Sequence, residues 1–265
     1  MIEASVRSGR GETFYWISRN SRPDAKTLVL THGLTADHTM FDKQVDYFAT
    51  DCTVIVWDIP MHGRSRPYSD FSYRNAAEEL NAILEAESIE KAVHVGMSLG
   101  GYVTQHFALS YPGKVEGLVA IGTSPLDPGY YSRSDIRWLK LAAPMCRLFP
   151  AELLRRTIAS GNSATPYGRS VLLTTLSGLD KRTICDQIDI AYGKFVEELH
   201  DTDFDFPVLL MMGDKDRTGK VRVYTRQWAQ NTGYPLRIIG NAAHLCNCDN
   251  PDEVNAAISG FLECL

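Results

Sequence analysis

The sequence has no C-x-x-C pair. Its six cysteines (Cys52, Cys146, Cys185, Cys246, Cys248 and Cys264) are scattered over 265 residues, a spacing that supports neither a zinc ribbon nor a thioredoxin-type dithiol. It has no run of about 18 apolar residues, so no membrane-spanning helix is predicted; the longest apolar stretches are strand-sized. No apolar region follows the charges at Glu3 and Arg7, so the start does not read as a signal peptide. With the scattered cysteines, this predicts free thiols and a cytoplasmic protein. Positive charge is not in excess either: the formal net charge of -5 argues against a nucleic-acid-binding face. There is no G-x-x-x-x-G-K-S/T loop and no dinucleotide fingerprint, and no cofactor is expected. What is present is ordinary globular material, 44% hydrophobic and 22% charged, with no strongly charge-biased segment. A chain this long buries roughly three quarters of the surface of its unfolded form, enough for one sizeable core.

Two metal-like patterns fail on inspection. Asp201-Thr202-Asp203-Phe204-Asp205 begins like a calcium loop, but Phe206 stands where the turn needs glycine and Met212 where a bidentate glutamate is needed. Cys246 and Cys248 flank one residue beside a single nearby histidine, which is not a full zinc ligand set. They read as small residues packed in a loop, and no metal is expected.

Short aliphatic and β-branched runs mark strands at Thr27–Thr31, Thr53–Trp57, Ala92–Val95, Gly117–Ile121, Val208–Met212 and Leu236–Ile239. Near-continuous apolar runs suit strands covered on both faces, as in parallel sheets. Two more polar runs, Ala4–Arg7 and Thr13–Ser18, fit an antiparallel hairpin at the sheet edge. Between strands the spacing turns helical: Ala77, Leu80, Ile83 and Leu84 form one stripe, opposite Glu78, Glu79 and Glu85. The alternation predicts an α/β protein with a mostly parallel eight-stranded sheet flanked by helices. It breaks between Leu126 and Phe204, where four helix-like stretches (Ser134–Met145, Ala151–Ala159, Arg169–Leu176, Thr183–Leu199) are punctuated by Pro128, Pro144, Pro150 and Pro166. This predicts a single domain over residues 1–265, with residues 127–204 inserted as a helical cap. Six arginines make the first half of that insertion basic (Arg133, Arg137, Arg147, Arg155, Arg156 and Arg169), which reads as a solvated face or as a contact for a carboxylate-bearing substrate.

The sharpest chemical feature is Gly96-Met97-Ser98-Leu99-Gly100, directly after one predicted strand and before a helical run from Tyr102. A tight strand-to-helix turn requires small residues two before and two after the serine, and Gly96 and Gly100 supply them. Such a turn projects the Ser98 hydroxyl above the sheet. A serine hydroxyl needs a neighbouring base to become nucleophilic. In the chain order serine, acid, histidine, that base follows Ser98. His106 lies two turns along the next helix and His200 lies in the helical segment, leaving His244, just past the last strand. The acid that would orient it has three candidates: Asp214 and Asp216, after the strand at Val208–Met212, and Asp127, further along from the strand at Gly117–Ile121.

From about Thr13 to the C-terminus the chain resembles the α/β-hydrolase fold superfamily, in its serine esterase-like branch. Thr31-His32-Gly33-Leu34 resembles the family's His-Gly turn, and Asp58-Ile59-Pro60-Met61-His62-Gly63-Arg64-Ser65 its Asp-x-Pro-Gly-His-Gly-x-Ser segment. Gly213-Asp214-Lys215-Asp216 resembles its Gly-x-x-Asp acid turn, and Pro251 through Leu262 its closing helix. The resemblance implies Ser98 as nucleophile, His244 as general base and then acid, and Asp216 rather than Asp214 as the orienting carboxylate. It implies an oxyanion hole from the backbone N–H groups of Leu34 and Leu99, with His32 and His62 as turn-holding residues. Three positions depart from the pattern. Ala243 replaces the usual glycine before the histidine, Met61 stands where glycine is common, and Met40-Phe41 stands where a tryptophan is often found. A carboxylate at the elbow, needed for halide or epoxide chemistry in this fold, is absent. The expected activity is therefore cleavage of a carboxylic ester of a small or medium-sized molecule. Lactone, thioester, amide or carbon–carbon hydrolysis are alternatives, as is a ligand sensor that keeps the fold.

Overall fold

The structure is a computed structural model describing residues 1–265, the side chains of 142 and 143 excepted. In chain order the elements begin with β1 (Ile2–Ser8), β2 (Gly11–Ser18), β3 (Thr27–Thr31), α1 (Asp42–Phe48) and β4 (Thr53–Trp57). Then come α2 (Tyr73–Ala86), β5 (Ala92–Met97), α3 (Leu99–Ser110) and β6 (Val115–Ile121). A strand-free segment holds α4 (Arg133–Cys146), α5 (Ala151–Asn162), α6 (Pro166–Ser177), α7 (Lys181–Asp189) and the short α8 (Phe195–Glu197). The chain closes with β7 (Val208–Gly213), α9 (Val221–Thr232), β8 (Leu236–Ile239), α10 (Cys246–Asp249) and α11 (Pro251–Leu262).

The eight strands form one sheet in the order β1-β2-β4-β3-β5-β6-β7-β8. The β1–β2 and β2–β4 pairs are antiparallel and the other five are parallel. The chirality of crossover connections accounts for this layout: each strand returns through a helix to lie beside a parallel neighbour. Alternation along each strand feeds two separate cores. Val29, Ile55, Leu118 and Leu210 face one side, against α2, α3 and α9 through Leu80, Phe107 and Trp228. Leu28, Leu30, Val56, Val119 and Met211 face the other, against α1 and α11 through Phe48, Val254 and Ile258. Each fully buried aliphatic side chain of this kind contributes about 1.5–3 kcal/mol relative to exposure. The continuous apolar runs of the sequence are thus the signature of a sheet wet on neither face.

Three expectations are corrected. Ala77, Leu80, Ile83 and Leu84 are buried on α2 as predicted, but Glu79 is buried with them, at 2% exposure. Its carboxylate accepts hydrogen bonds from Ser8 (2.7 Å), Tyr68 (2.9 Å) and Arg10 (3.0 Å), partners that bring a charge into the core without leaving it unpaired. The helix predicted over Thr183–Leu199 is instead α7, a π-helical turn at Ile190–Lys194, and α8. Pro144, read as punctuation between helices, lies inside the last turn of α4 without ending it there. No helix among the described residues is long and apolar enough to cross a membrane.

Candidate active site

At the carboxyl end of β5 the chain turns directly into α3, and Ser98 takes φ 52° and ψ -116°. A side-chain-bearing residue held there is strained by about 1–3 kcal/mol, so its surroundings must enforce it. The Ser98 N–H donates to the Ile121 carbonyl of β6 at 2.8 Å. The flanking glycines have no room to be anything else. A Cβ on Gly96 would lie 2.5 Å from Thr104 Oγ1, and one on Gly100 would lie 2.1 Å from the Thr31 carbonyl oxygen.

His244 follows β8 on a loop held from three sides. Asp214 Oδ1 accepts the Ala242 N–H at 2.9 Å, Asp249 Oδ2 accepts the Ala243 N–H at 2.9 Å, and the Leu245 N–H donates to Asn162 of α5 at 2.8 Å. The loop lays the imidazole between two partners, with Nδ1 2.9 Å from Asp216 Oδ2 and Nε2 2.9 Å from Ser98 Oγ. With Nδ1–H donating to the carboxylate, Nε2 is left to accept the Ser98 hydroxyl proton.

Of the three carboxylates singled out in the sequence, Asp216 is the one that touches the imidazole. Asp214 is spent on the Ala242 amide. Asp127 accepts the Gly129 N–H at 2.7 Å and caps a short turn. Asp216 is nearly buried; that burial pushes its pKa up, but hydrogen bonds from His244 and from the Thr218 N–H (2.8 Å) outweigh it and hold the carboxyl below its ordinary 3.8. It therefore stays ionised across the neutral range. The other histidines after the elbow lie elsewhere: His106 stacks on Tyr73 at 5.6 Å between centroids, and His200 Nδ1 lies 2.9 Å from the Asp201 carbonyl.

The turn carrying Leu34 is stitched to the segment after β4. His32 Nε2 accepts the Ile59 N–H at 3.0 Å, so its Nδ1–H donates to the Gly33 carbonyl at 2.7 Å. Buried Asp58 accepts from the His38 N–H and Nδ1 (both 2.8 Å) and from the Arg64 N–H (2.7 Å). A Cβ on Gly63 would lie 2.1 Å from that carboxylate. His62 is fully buried, which pushes its pKa down to about 3, so it is neutral and its Nδ1 lies 3.2 Å from the Pro60 carbonyl. Met61 adopts φ 68°, the left-handed conformation a glycine would take there, so the turn keeps its course at the cost of strain. The Leu34 N–H makes no hydrogen bond within the described residues, and the Leu99 N–H stands at the first position of α3, where amides have no intrahelical partner.

Ser98, His244 and Leu34 open onto a cavity of about 270 Å³. Its floor is Gly33, Met40 and Met97 from the sheet side, and its roof is Ile158, Leu172, Ile188 and Tyr192 from the helical segment. Cys246 and Cys248 are buried behind the histidine, where burial pushes the Cys248 thiol up to about 12. No cluster of metal-ligating side chains exists among the described residues. Sequence reasoning missed Asp249, whose carboxylate accepts from Ser163 Oγ (2.6 Å), the Ala164 N–H (2.8 Å) and the Ala243 N–H (2.9 Å). Nothing local marks it, because its partners lie 86 residues upstream as well as 6.

Comparison with known proteins agrees with this architecture. The alpha/beta hydrolase fold family model matches residues 26–142. The chain is similar to a pimeloyl-[acyl-carrier protein] methyl ester esterase of Vibrio atlanticus, 35% identical over 114 residues; the match covers 43% of this chain and 42% of that esterase. It is 25% identical over 255 residues, 91% of each chain, to an uncharacterized hydrolase, YugF, of Bacillus subtilis. Its fold is that of a thermophilic esterase from Thermogutta terrifontis, with TM-score 0.80, 19% identity and coverage of 99% of this chain and 98% of the other. The chain has the α/β-hydrolase fold.

Proposed function

We propose that the protein is a serine hydrolase that cleaves a carboxylic ester of a small or medium-sized molecule through an acyl-enzyme on Ser98. The observation that carries this reading is the hydrogen-bonded row Ser98–His244–Asp216, with 2.9 Å at each link and its first two members lining the cavity. His244 Nε2 removes the Ser98 proton as Oγ attacks the ester carbonyl carbon. The oxygen that gains the electron pair is held by the N–H groups of Leu34 and Leu99, donors aimed at charge that develops in the transition state. As the carbonyl re-forms, the imidazolium gives its proton to the departing alcohol. A water then enters, loses its proton to His244 and attacks the acyl carbon; Ser98 leaves with that proton and the carboxylic acid is released. Asp216 fixes the tautomer and stabilises the transient imidazolium without accepting its proton.

The helical segment serves as a cap on this single domain, supplying the apolar roof over the acyl group. The similarity to a methyl ester esterase supports an ester rather than an amide as the scissile bond. The enzyme works in the cytoplasm, where its six free thiols stay reduced. The test is a fluorophosphonate probe: the wild type is labelled one to one and Ser98→Ala is not. An unlabelled wild type, folded by circular dichroism, would mark the protein as a ligand-binding relative that has lost its chemistry.

A further inference from the structure

A second cavity, of about 460 Å³, adjoins the one at Ser98, and Tyr192 and Thr218 line both. Their walls differ in chemistry. Around Ser98 the apolar surface comes from Met40, Met97, Ile158, Leu172, Ile188 and Leu245, flexible thioethers and aliphatic chains. The neighbouring chamber is walled by rings, those of Tyr102, Tyr131, Trp138, Phe195 and Tyr224, with Tyr192 as the partition. Tyr192 sits on the π-helical turn between α7 and α8, an irregularity often found at functional sites.

The hydroxyls of the chamber are not equivalent. Tyr102 and Tyr131 use theirs on Ser124 Oγ, at 2.9 and 2.7 Å. Tyr224 is 9% exposed, and its hydroxyl, beside the Asp135 carboxylate, makes no hydrogen bond of regular geometry. That carboxylate is engaged by Lys220 Nζ (2.6 Å) and by Ser132 Oγ (2.6 Å). The same pairing leaves the chamber rim without net charge. A buried O–H without a well-formed partner is costly, and here it lines an aromatic pocket that adjoins the cavity at Ser98.

We infer that this chamber is the subsite for a neutral aromatic group on the alcohol side of the ester, with an oxygen atom that accepts the Tyr224 hydroxyl proton. A planar ring gains offset and edge contacts from the surrounding aromatic side chains, whereas an anion would have to compete with Asp135 for Lys220. The preferred substrate class is then an aryl ester of a short aliphatic acid, its acyl half beside Met40 and Met97 and its aromatic half beyond Tyr192. This rests on the serine esterase reading above.

The test uses 2-naphthol as probe and two butyrate esters as substrates. Ser98→Ala, which cannot turn over, binds 2-naphthol one to one by titration calorimetry. Binding weakens about two- to tenfold in Ser98→Ala/Tyr224→Phe, the net worth of one hydrogen bond, and is lost in Ser98→Ala/Leu139→Trp, where the added ring fills the chamber. In the active enzyme, Tyr224→Phe lowers the ratio of kcat/KM for 2-naphthyl butyrate to that for methyl butyrate by the same two- to tenfold. If Leu139→Trp fails to fold, Trp138→Ala, at a residue 66% exposed, reports on the same wall by weaker naphthol binding. Absence of naphthol binding, or binding and ester preference indifferent to both chamber variants, overturns the subsite while leaving ester hydrolysis standing. Naphthol binding without turnover of either ester upholds the chamber and overturns the esterase reading instead.

Discussion

The loops at the carboxyl ends of the strands and the helical segment between β6 and β7 are built by different rules, and glycine tells them apart. At the turns that carry Ser98 and Asp216, space is consumed to the last atom: a Cβ on Gly100 would sit 2.1 Å from the Thr31 oxygen, and one on Gly213 would sit 2.1 Å from the Ala243 oxygen. In the helical segment a Cβ meets side chains or open space instead of backbone at close range: one on Gly168 would lie 2.5 Å from Ser163 Oγ, Gly161 has nothing within 4 Å, and the nearest atom at Gly178 is 3.6 Å away. The first region is specified residue by residue through backbone contacts. The second is specified by pattern, with apolar stripes on α5, α6 and α7 that bury Leu154, Leu172 and Ile184. A chemical site needs the first kind of precision; a roof over a cavity needs only the second.

The comparison can be broken most severely at Gly100. Gly100→Ala forces the elbow off the β3 turn and is expected to cost on the order of 4 kcal/mol or more, read as loss of a cooperative thermal transition. A normal melting curve would remove the claim that these loops lack slack. Next in size is the carboxylate pair after β7. Asp216→Asn is expected to lower kcat about 10⁴-fold with the fold intact, through the wrong imidazole tautomer, while Asp214→Asn keeps kcat within the same order, since it supports only the Ala242 amide. Equal losses at the two positions would contradict the division of labour between them.

A smaller effect separates the regions by pH. Burial pushes His62 down to about 3 and His94 and His106 to about 4, from an ordinary 6.5, whereas the segment Arg133–Glu197 contains no histidine. These side chains are neutral in the fold and take a proton only on unfolding. Stability is therefore full above pH 6.5 and is lost as pH falls from 6.5 toward 4. The Tm is expected to decline already between pH 6.5 and 5, before most carboxylates titrate, and His94→Phe to flatten that slope. Smallest is Gly161→Ala in the last turn of α5. With open space around it, the added methyl should stabilise by roughly 0.5–1 kcal/mol, raising Tm by about 1–3 °C. A destabilised variant would mean that the segment is packed as closely as the loops.

The same division governs what the sequence discloses. Strands buried on both faces announce themselves as unbroken apolar runs, and the edge hairpin β1–β2 as polar alternation. Gly96 and Gly100 around Ser98 are readable because the turn they permit is local in the chain. Leu80 and Ile83 follow from spacing alone. Glu79 does not: its burial depends on Ser8, Arg10 and Tyr68, of which two lie some seventy positions away. The π-helical turn at Ile190–Lys194 leaves no mark in the residue pattern, and so the helix over Thr183–Leu199 is read as continuous. Asp249 is silent for the same reason as Glu79, its role being set by Ser163 and Ala164 across the fold. Met61 is read as a departure from glycine, yet the backbone imposes the glycine conformation on it anyway.

Ser98 and His244 are 146 positions apart in the chain yet 2.9 Å apart in space. During synthesis at about 5–20 residues per second, the elbow on β5 precedes its imidazole by roughly 7–30 s. In that interval the hydroxyl has no base to take its proton, however well β3, β4 and β5 have paired around it. On the serine hydrolase reading, a nascent chain therefore carries an inert serine until residue 244 is delivered.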